Sequence, residues 1–147
     1  FEYMLESIIA LAAFIPVIIG MGGNIGTQSS TIIVRGMATG RIELGNELKI
    51  LLKELRVGLI LGSLYGLLLG IFANFKFLNS DPMLGVVVGL SICSSMLLAT
   101  IVGAFTPLVL RKLDIDPAIA TGPFVTTSID IIGVLLYFFI AGSLLSI

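Results

Sequence analysis

Four long stretches of the chain carry almost no charged residues, and short charged segments separate them. Residues 7–34, 57–75 and 82–110 contain no Asp, Glu, Lys or Arg, and residues 117–147 contain only Asp130. A helix needs about 20 apolar residues to cross a bilayer, and each stretch is about that long or longer. The pattern therefore predicts an all-α, polytopic membrane protein with about four spanning helices.

We expect residues 1–147 to form one transmembrane domain. Between the first two spans, charged residues alternate with leucines as in an amphipathic helix, which is expected to follow the inner membrane surface before the chain turns into the second span. The spans are predicted at residues 5–35, 55–75, 83–110 and 118–146, with the amphipathic link at 41–55.

Basic residues concentrate in the first and third connections, at Arg35, Arg41, Lys49, Lys53, Arg56, Arg111 and Lys112. The positive-inside rule places both connections in the cytoplasm and both chain ends outside, as in a multi-pass protein of the cell membrane. A chain that starts outside with Phe1 suggests a further span upstream.

The composition excludes several functions. The chain is 57% hydrophobic and only 12% charged, whereas soluble domains carry about 25% charged residues. A net charge of -1 argues against a basic nucleic-acid surface, and without histidine any bound metal must be held by oxygen. The lone Cys93 is expected to be a packing residue.

Glycines recur every fourth residue in the second span, at Gly58, Gly62, Gly66 and Gly70. Small residues at this spacing allow helix backbones to approach closely in lipid, so we expect packing seams within one subunit or a dimer. A glycine-lined conduit is the alternative. Pro107 is expected to bend or end the third helix.

Asp130 stands alone in an apolar span, where a carboxylate costs about 3 kcal/mol at the bilayer centre. Thr126, Thr127 and Gly133 are expected on or beside its face. An acid on an ion path is the functional interpretation. The structural alternative is an Asp that is paired with a buried polar group or held protonated.

A glycine- and amide-rich segment interrupts the first span between residues 20 and 31. It has neither a base to activate a hydroxyl nor the lysine of a phosphate loop, so an enzyme is not expected. If it is helical, its backbone and side-chain oxygens suit Mg²⁺, which keeps part of its water shell, and Ca²⁺ or Mn²⁺ can occupy such a site. One stripe then contains Gly20, Gly23 or Asn24, Thr27 or Gln28, and Thr31.

The two polar segments are expected at similar depth, because Asn24 lies about 25 Å along a helix that enters from outside near Ser7. If the last helix begins at Pro123, Asp130 lies roughly 10 Å from the inner surface. Asp116 belongs to an acidic loop before that span, which either attracts cations or is simply solvated.

Two motifs carry a family resemblance, one from Phe14-Ile15-Pro16 through residues 22–29 to 35–40, the other from Asp116-Pro117-Ala118 to Gly133. Together they resemble the MgtE magnesium channel family over nearly the whole chain, from its second to its fifth membrane helix. Some relatives have Asn where this chain has Thr27 and Gly122.

The resemblance implies a homodimer with an ion path along the subunit interface. Asp130 would be the acidic magnesium-binding residue, and the Gly-Gly-Asn stretch with Thr27 would line the pore. Asp116 would lie near the cytoplasmic mouth. A proton- or sodium-coupled exchanger that uses Asp130 is the alternative, and a non-transporting assembly subunit would leave the cost of that acid unexplained.

Overall fold

The protein folds as a bundle of long helices. Within the described part of the chain every regular element is helical: α1 (Glu2–Ala38), α2 (Glu47–Lys76), α3 (Leu84–Lys112), a short 3₁₀ helix (Pro117–Thr121) and α4 (Pro123–Leu144). The computed structural model describes residues 2–42, 45–77 and 82–145. Within these ranges, it describes only the backbone of residues 2–8, 120 and 121.

Four of the described helices are long and apolar enough to cross a membrane. The shortest, α4, has 22 residues, which corresponds to about 33 Å at 1.5 Å per residue and matches the hydrocarbon thickness of a bilayer. The predicted all-α, multi-pass fold is therefore confirmed.

The largest differences from the predicted bounds are at the starts of α2 and α4. Residues 41–55 were expected to form an amphipathic link that is separate from the second span. Instead, residues 47–55 are the first turns of α2, which runs without interruption from Glu47 to Lys76. The last span was predicted at 118–146, and its first residues form a 3₁₀ helix, so that α4 itself begins at Pro123, the start considered for the last helix in the sequence analysis. Proline suits that position because the first helical N–H has no partner within the helix.

Proline does not end either of the helices that contain it internally. Pro16 lies inside α1, and Pro107 lies inside α3, which continues to Lys112. The sequence left open whether Pro107 bends or ends the third helix, and the structure shows that the helix does not end there. A separate contact joins α1 to α4. The hydroxyl of the buried Tyr137 on α4 donates a hydrogen bond of 2.8 Å to the carbonyl of Leu11, near the beginning of α1.

Glycines bring α2 and α3 into backbone contact, as the four-residue spacing predicts. A methyl group at Gly66 would lie 2.5 Å from the carbonyl oxygen of Gly89, and one at Gly70 would lie 2.6 Å from that of Gly85. Such distances are too short for a side chain. The seam therefore depends on having no side chains at these positions.

Helix α3 lies between the others and packs against all three. Its Val88 and Ile92 are fully buried in a core shared with Phe14 and Ile18 of α1 and with Ile129 of α4. This core holds α1 and α4 side by side on one flank of α3.

One end of the bundle carries most of the charged side chains, and we call it the basic end. It contains the last turns of α1 and α3 and the first turns of α2. There the Lys112 ammonium lies 2.9 Å from a carboxylate oxygen of Glu47, which ties α3 to α2.

Candidate metal site

Asp130 lies two turns into α4, half-buried beside α1. A methyl group at Gly23 would lie 3.6 Å from the Asp130 carboxylate oxygen, an ordinary contact distance. The structure thus brings together the acid of the last span and the glycine segment of the first. Because Gly23 has no side chain, the space on the α1 side of the carboxylate stays open.

Polar residues of α1 form an exposed stripe on both sides of this contact. Gly20, Asn24, Gln28 and Thr31 are exposed, and Thr27 is half-buried. A methyl group at Gly20 would have no described neighbour within 4 Å. The described part of the chain therefore leaves this stripe uncovered, on a helix long and apolar enough to cross a membrane.

The opposite face of α1 buries two hydroxyls from the same polar segment. Ser29 and Ser30 are buried, and the Ser29 hydroxyl donates a 2.8 Å hydrogen bond to the carboxylate of Glu54 on α2. The polar residues between 24 and 31 are thus divided between two faces. The serines are buried in the bundle, while Asn24, Gln28 and Thr31 are exposed.

Glu54 is a buried acid that the sequence analysis treated only as part of an amphipathic pattern. Its exposed fraction is 5%, far below that of a typical surface glutamate. A signal was present, because Glu54 stands four residues before Gly58 and continues the glycine stripe of α2. A carboxylate on the packing face of a helix requires a hydrogen-bond donor, and Ser29 supplies one.

The residues expected around Asp130 divide in the same way. Thr126 is half-buried and donates to the Pro123 carbonyl at 3.1 Å, while Thr127 is exposed. Gly133 is buried against α3, where a methyl group would lie 3.0 Å from the Ser95 hydroxyl. Gly133 therefore belongs to a packing seam and not to the polar strip predicted beside Asp130.

Asp116 has a local structural role at the basic end. It is exposed, and its carboxylate accepts a 2.9 Å hydrogen bond from the Ala118 amide at the start of the 3₁₀ helix. This contact stabilises the turn that leads into α4. The carboxylate also adds negative charge to the solvent-facing loop before the span.

A single chain offers few charged ligands for a metal. Among the described side chains, no group of three Asp, Glu or Cys residues lies close enough to hold an ion. What one chain presents is one carboxylate, that of Asp130, beside a stripe of amide, hydroxyl and backbone oxygens. Such a set suits a hard cation that retains several of its water ligands, as Mg²⁺ does.

Four spanning helices and a polar stripe define a polytopic membrane protein of the helical-bundle class. Residues 15–140 match the family model MgtE, described as a divalent cation transporter, and the chain belongs to that family. The resemblance inferred from the two motifs is confirmed.

Three curated relatives align over almost all of the chain, and each is named magnesium transporter MgtE. The protein of Thermus thermophilus is 41% identical over 145 residues, 99% of this chain and 32% of that protein. Those of Bacillus subtilis and Enterococcus faecalis are 36% identical over 141 residues, 96% of this chain and 31% of each protein. The chain thus spans about a third of the length of these relatives.

Proposed function

We propose that this chain forms the pore of a divalent-cation channel that moves Mg²⁺ across the membrane, with Asp130 as its ion-binding acid. The observation that carries the proposal is the position of Asp130 beside Gly23, where a carboxylate in a spanning helix borders an uncovered polar stripe. Membership of a family of divalent cation transporters supports the same conclusion.

The energetics of the acid favour an ion path. A carboxylate within a bilayer costs about 3 kcal/mol or more unless water, a cation or a donor compensates it. Among the described residues, no lysine or arginine forms an ion pair with Asp130. A hydrated divalent cation that passes along the stripe would supply the missing positive charge.

A homodimer would enclose such a path. The exposed stripe of α1 and the adjacent half-buried Asp130 are unfavourable against hydrocarbon, and a second copy of the chain would cover them. Two Asp130 carboxylates facing each other across the interface would repel, and one divalent ion between them would remove that repulsion. Asn24, Thr27 and the backbone at Gly20 and Gly23 would contribute neutral oxygens.

Mg²⁺ is the expected cargo because one or two carboxylates with several retained waters match its usual coordination. The names of the curated relatives also specify magnesium. Ca²⁺ and Mn²⁺ have the same preference for oxygen and are expected to compete at the site. Asp116, at the basic end, would raise the local cation concentration at the mouth.

Ion flux into liposomes tests the role of Asp130. We expect Asp130→Ala to reduce Mg²⁺ flux by about 100-fold, since the charge that offsets ion desolvation is lost. Ser128→Ala serves as the control, because the Ser128 hydroxyl bonds to the Phe124 carbonyl of its own helix. Wild-type flux in the Asp130 variant, with both variants equally well folded, would reject the assignment.

The same liposomes separate a channel from a coupled exchanger. A channel passes Mg²⁺ down its own gradient when neither a proton nor a sodium gradient is present. An exchanger that uses Asp130 as a proton or sodium site would stop under those conditions. Flux that requires either gradient would identify the protein as a coupled exchanger and not a channel, with Asp130 as the coupling site.

A further inference from the structure

On the first turns of α2, the acidic side chains and the basic side chains have different surroundings. Of the two acids on this part of the helix, Glu47 forms an ion pair with Lys112 of α3, and Glu54 is buried against Ser29 of α1. Both carboxylates thus have partners on neighbouring helices. The alternation of acidic and basic residues in the sequence does not persist on the surface of the folded helix.

The basic residues of the same turns lie on the outer surface. Lys49, Lys53 and Arg56 are all exposed, and no described acidic side chain forms an ion pair with any of them. Their spacing of four and then three residues places them on one helix face. This face therefore presents three uncompensated positive charges.

The basic face continues into an apolar face along the same line of the helix. The residues that follow Arg56 at the same spacing are Ile60, Leu64 and Leu67, each at least half exposed. A single stripe thus changes from three cations to hydrocarbon side chains at Arg56. Such a change is expected where a spanning helix passes from the headgroup layer into the bilayer core.

The length of α2 agrees with that position. The 19 residues between Arg56 and Lys76 carry no charge, and these two ends lie about 30 Å apart along the helix, close to the thickness of the hydrocarbon core. With those two residues at the core boundaries, Lys53 and Lys49 extend about 5 and 10 Å further out. They then lie at the depth of the lipid phosphates.

A groove on this surface combines both kinds of contact. It has a volume of about 570 Å³ and is lined by Lys49, Lys53 and Arg56 together with Leu48 and Leu52. The two leucines are strongly exposed, Leu48 at 72% and Leu52 at 47%. Apolar side chains beside cations match a molecule that has an anionic head and an acyl chain.

We propose that Lys49, Lys53 and Arg56 form a binding site for the headgroup of an anionic phospholipid. The lipid phosphate contacts the three cations, and its acyl chains lie along the apolar continuation of the stripe. This site is separate from Asp130 and does not depend on the proposed ion path. Lipid bound there anchors the start of α2 at the membrane surface.

Lipid binding to the purified chain in neutral detergent tests the proposal. We expect a fluorescent phosphatidylglycerol to bind about tenfold more tightly than the matching phosphatidylcholine, and the preference to disappear at high ionic strength. Replacing Lys49, Lys53 and Arg56 together by Gln should abolish the preference. Circular dichroism and gel filtration establish that the variant is folded.

A matched variant controls for total charge. Arg35, Lys76 and Arg111 are also exposed cations on α1, α2 and α3, and replacing these three by Gln removes the same charge from other sites. We expect this control to retain the preference for phosphatidylglycerol. An equal loss in both variants would mean general attraction to charge and would overturn the proposal.

Two further outcomes would also overturn it. Equal binding of both lipids by the wild-type chain rejects the site directly, even if the triple variant fails to fold. A soluble acidic peptide that binds the same three residues more tightly than phosphatidylglycerol would assign this face to an acidic protein segment instead of lipid.

Discussion

Helices α1 and α2 both carry glycines at short spacing, yet Gly20 and Gly23 of α1 have surroundings opposite to those of the α2 glycines. On α2, a methyl group at Gly62 or Gly66 would lie within 3 Å of the α3 backbone. On α1, a methyl group at Gly20 would touch nothing described, and one at Gly23 would make an ordinary contact with Asp130. The glycines of α2 close a seam, whereas these two glycines of α1 leave a surface bare.

The difference shows that glycine spacing alone does not assign a role. Close packing is indicated when the partner helix presents its own backbone, as α3 does at Gly85 and Gly89. A bare stripe is indicated when the glycines alternate with exposed amides, as they do beside Asn24. Substitutions that add a methyl group can measure this difference directly.

The largest expected effect is at the closed seam. Gly66→Ala should destabilise the protein by about 3 kcal/mol, because the new methyl group would overlap the Gly89 carbonyl and push the helices apart. Gly20→Ala adds the same methyl group in open space and should be neutral or stabilise by up to about 1 kcal/mol. Thermal unfolding in detergent measures both, and equal losses would remove the distinction between the two stripes.

The next largest expected effect concerns Glu54, the buried acid of α2. Ser29→Ala removes the hydroxyl that donates to Glu54 and should cost about 2 kcal/mol, since the carboxylate stays buried without that donor. Thr31→Ala is the control, because Thr31 lies on the exposed stripe of the same helix. Unfolding curves that coincide for the two variants would contradict a structural role for the Ser29–Glu54 hydrogen bond.

The adjacent residues Gly22 and Gly23 compare the packed face of α1 with the face beside Asp130. Gly23→Ala should reduce Mg²⁺ flux roughly tenfold with little change in stability, because its methyl group would narrow the space beside Asp130. At Gly22 a methyl group would lie 3.1 Å from the Ser95 hydroxyl, on the packed face. Gly22→Ala should therefore lower the melting temperature and have the smaller effect on flux per folded molecule. The reverse pattern would place the ion path elsewhere.

The smallest expected effect is at the hydrogen bond between Tyr137 and Leu11, which tests how far along the bundle the ion path extends. Tyr137→Phe removes the hydrogen bond to the Leu11 carbonyl and should cost about 1 kcal/mol without changing Mg²⁺ flux. Tyr65→Phe is the matched control, since Tyr65 is 40% exposed on α2 and should tolerate the change. A loss of flux in the Tyr137 variant, with stability retained, would extend the ion path to that end of the bundle.

Several features of the fold follow from local sequence. Spans without charge predicted the long helices, and Pro123 predicted the first residue of α4. Four-residue glycine spacing predicted a close packing seam, which the structure places between α2 and α3. The motifs around Asn24 and Asp130 identified the family that the comparisons confirm. Each of these signals depends on residues that are near one another in the chain.

The burial of Glu54 and the packing role of Gly133 were not predicted, and the sequence left open whether Pro107 bends or ends the third helix. Glu54 resembles the other charges of an amphipathic segment until Ser29, 25 residues away, is packed against it. Gly133 shares a helix face with Asp130 by spacing, but the position of α3 makes it a packing residue. Pro107 is accommodated inside α3, which continues for another turn to Lys112. Each outcome depends on a neighbouring helix or on the helix as a whole.

The sequence by itself determined which segments are helical and apolar, because hydropathy and helix periodicity are properties of neighbouring residues. Only the tertiary structure decided which polar residues are buried and which are exposed. Ser29 and Glu54 are buried in the bundle, whereas Asn24 and the cations Lys49, Lys53 and Arg56 are exposed. The physical reason is that a side chain's surroundings are set by the helices packed against it, and those contacts join residues far apart in the chain.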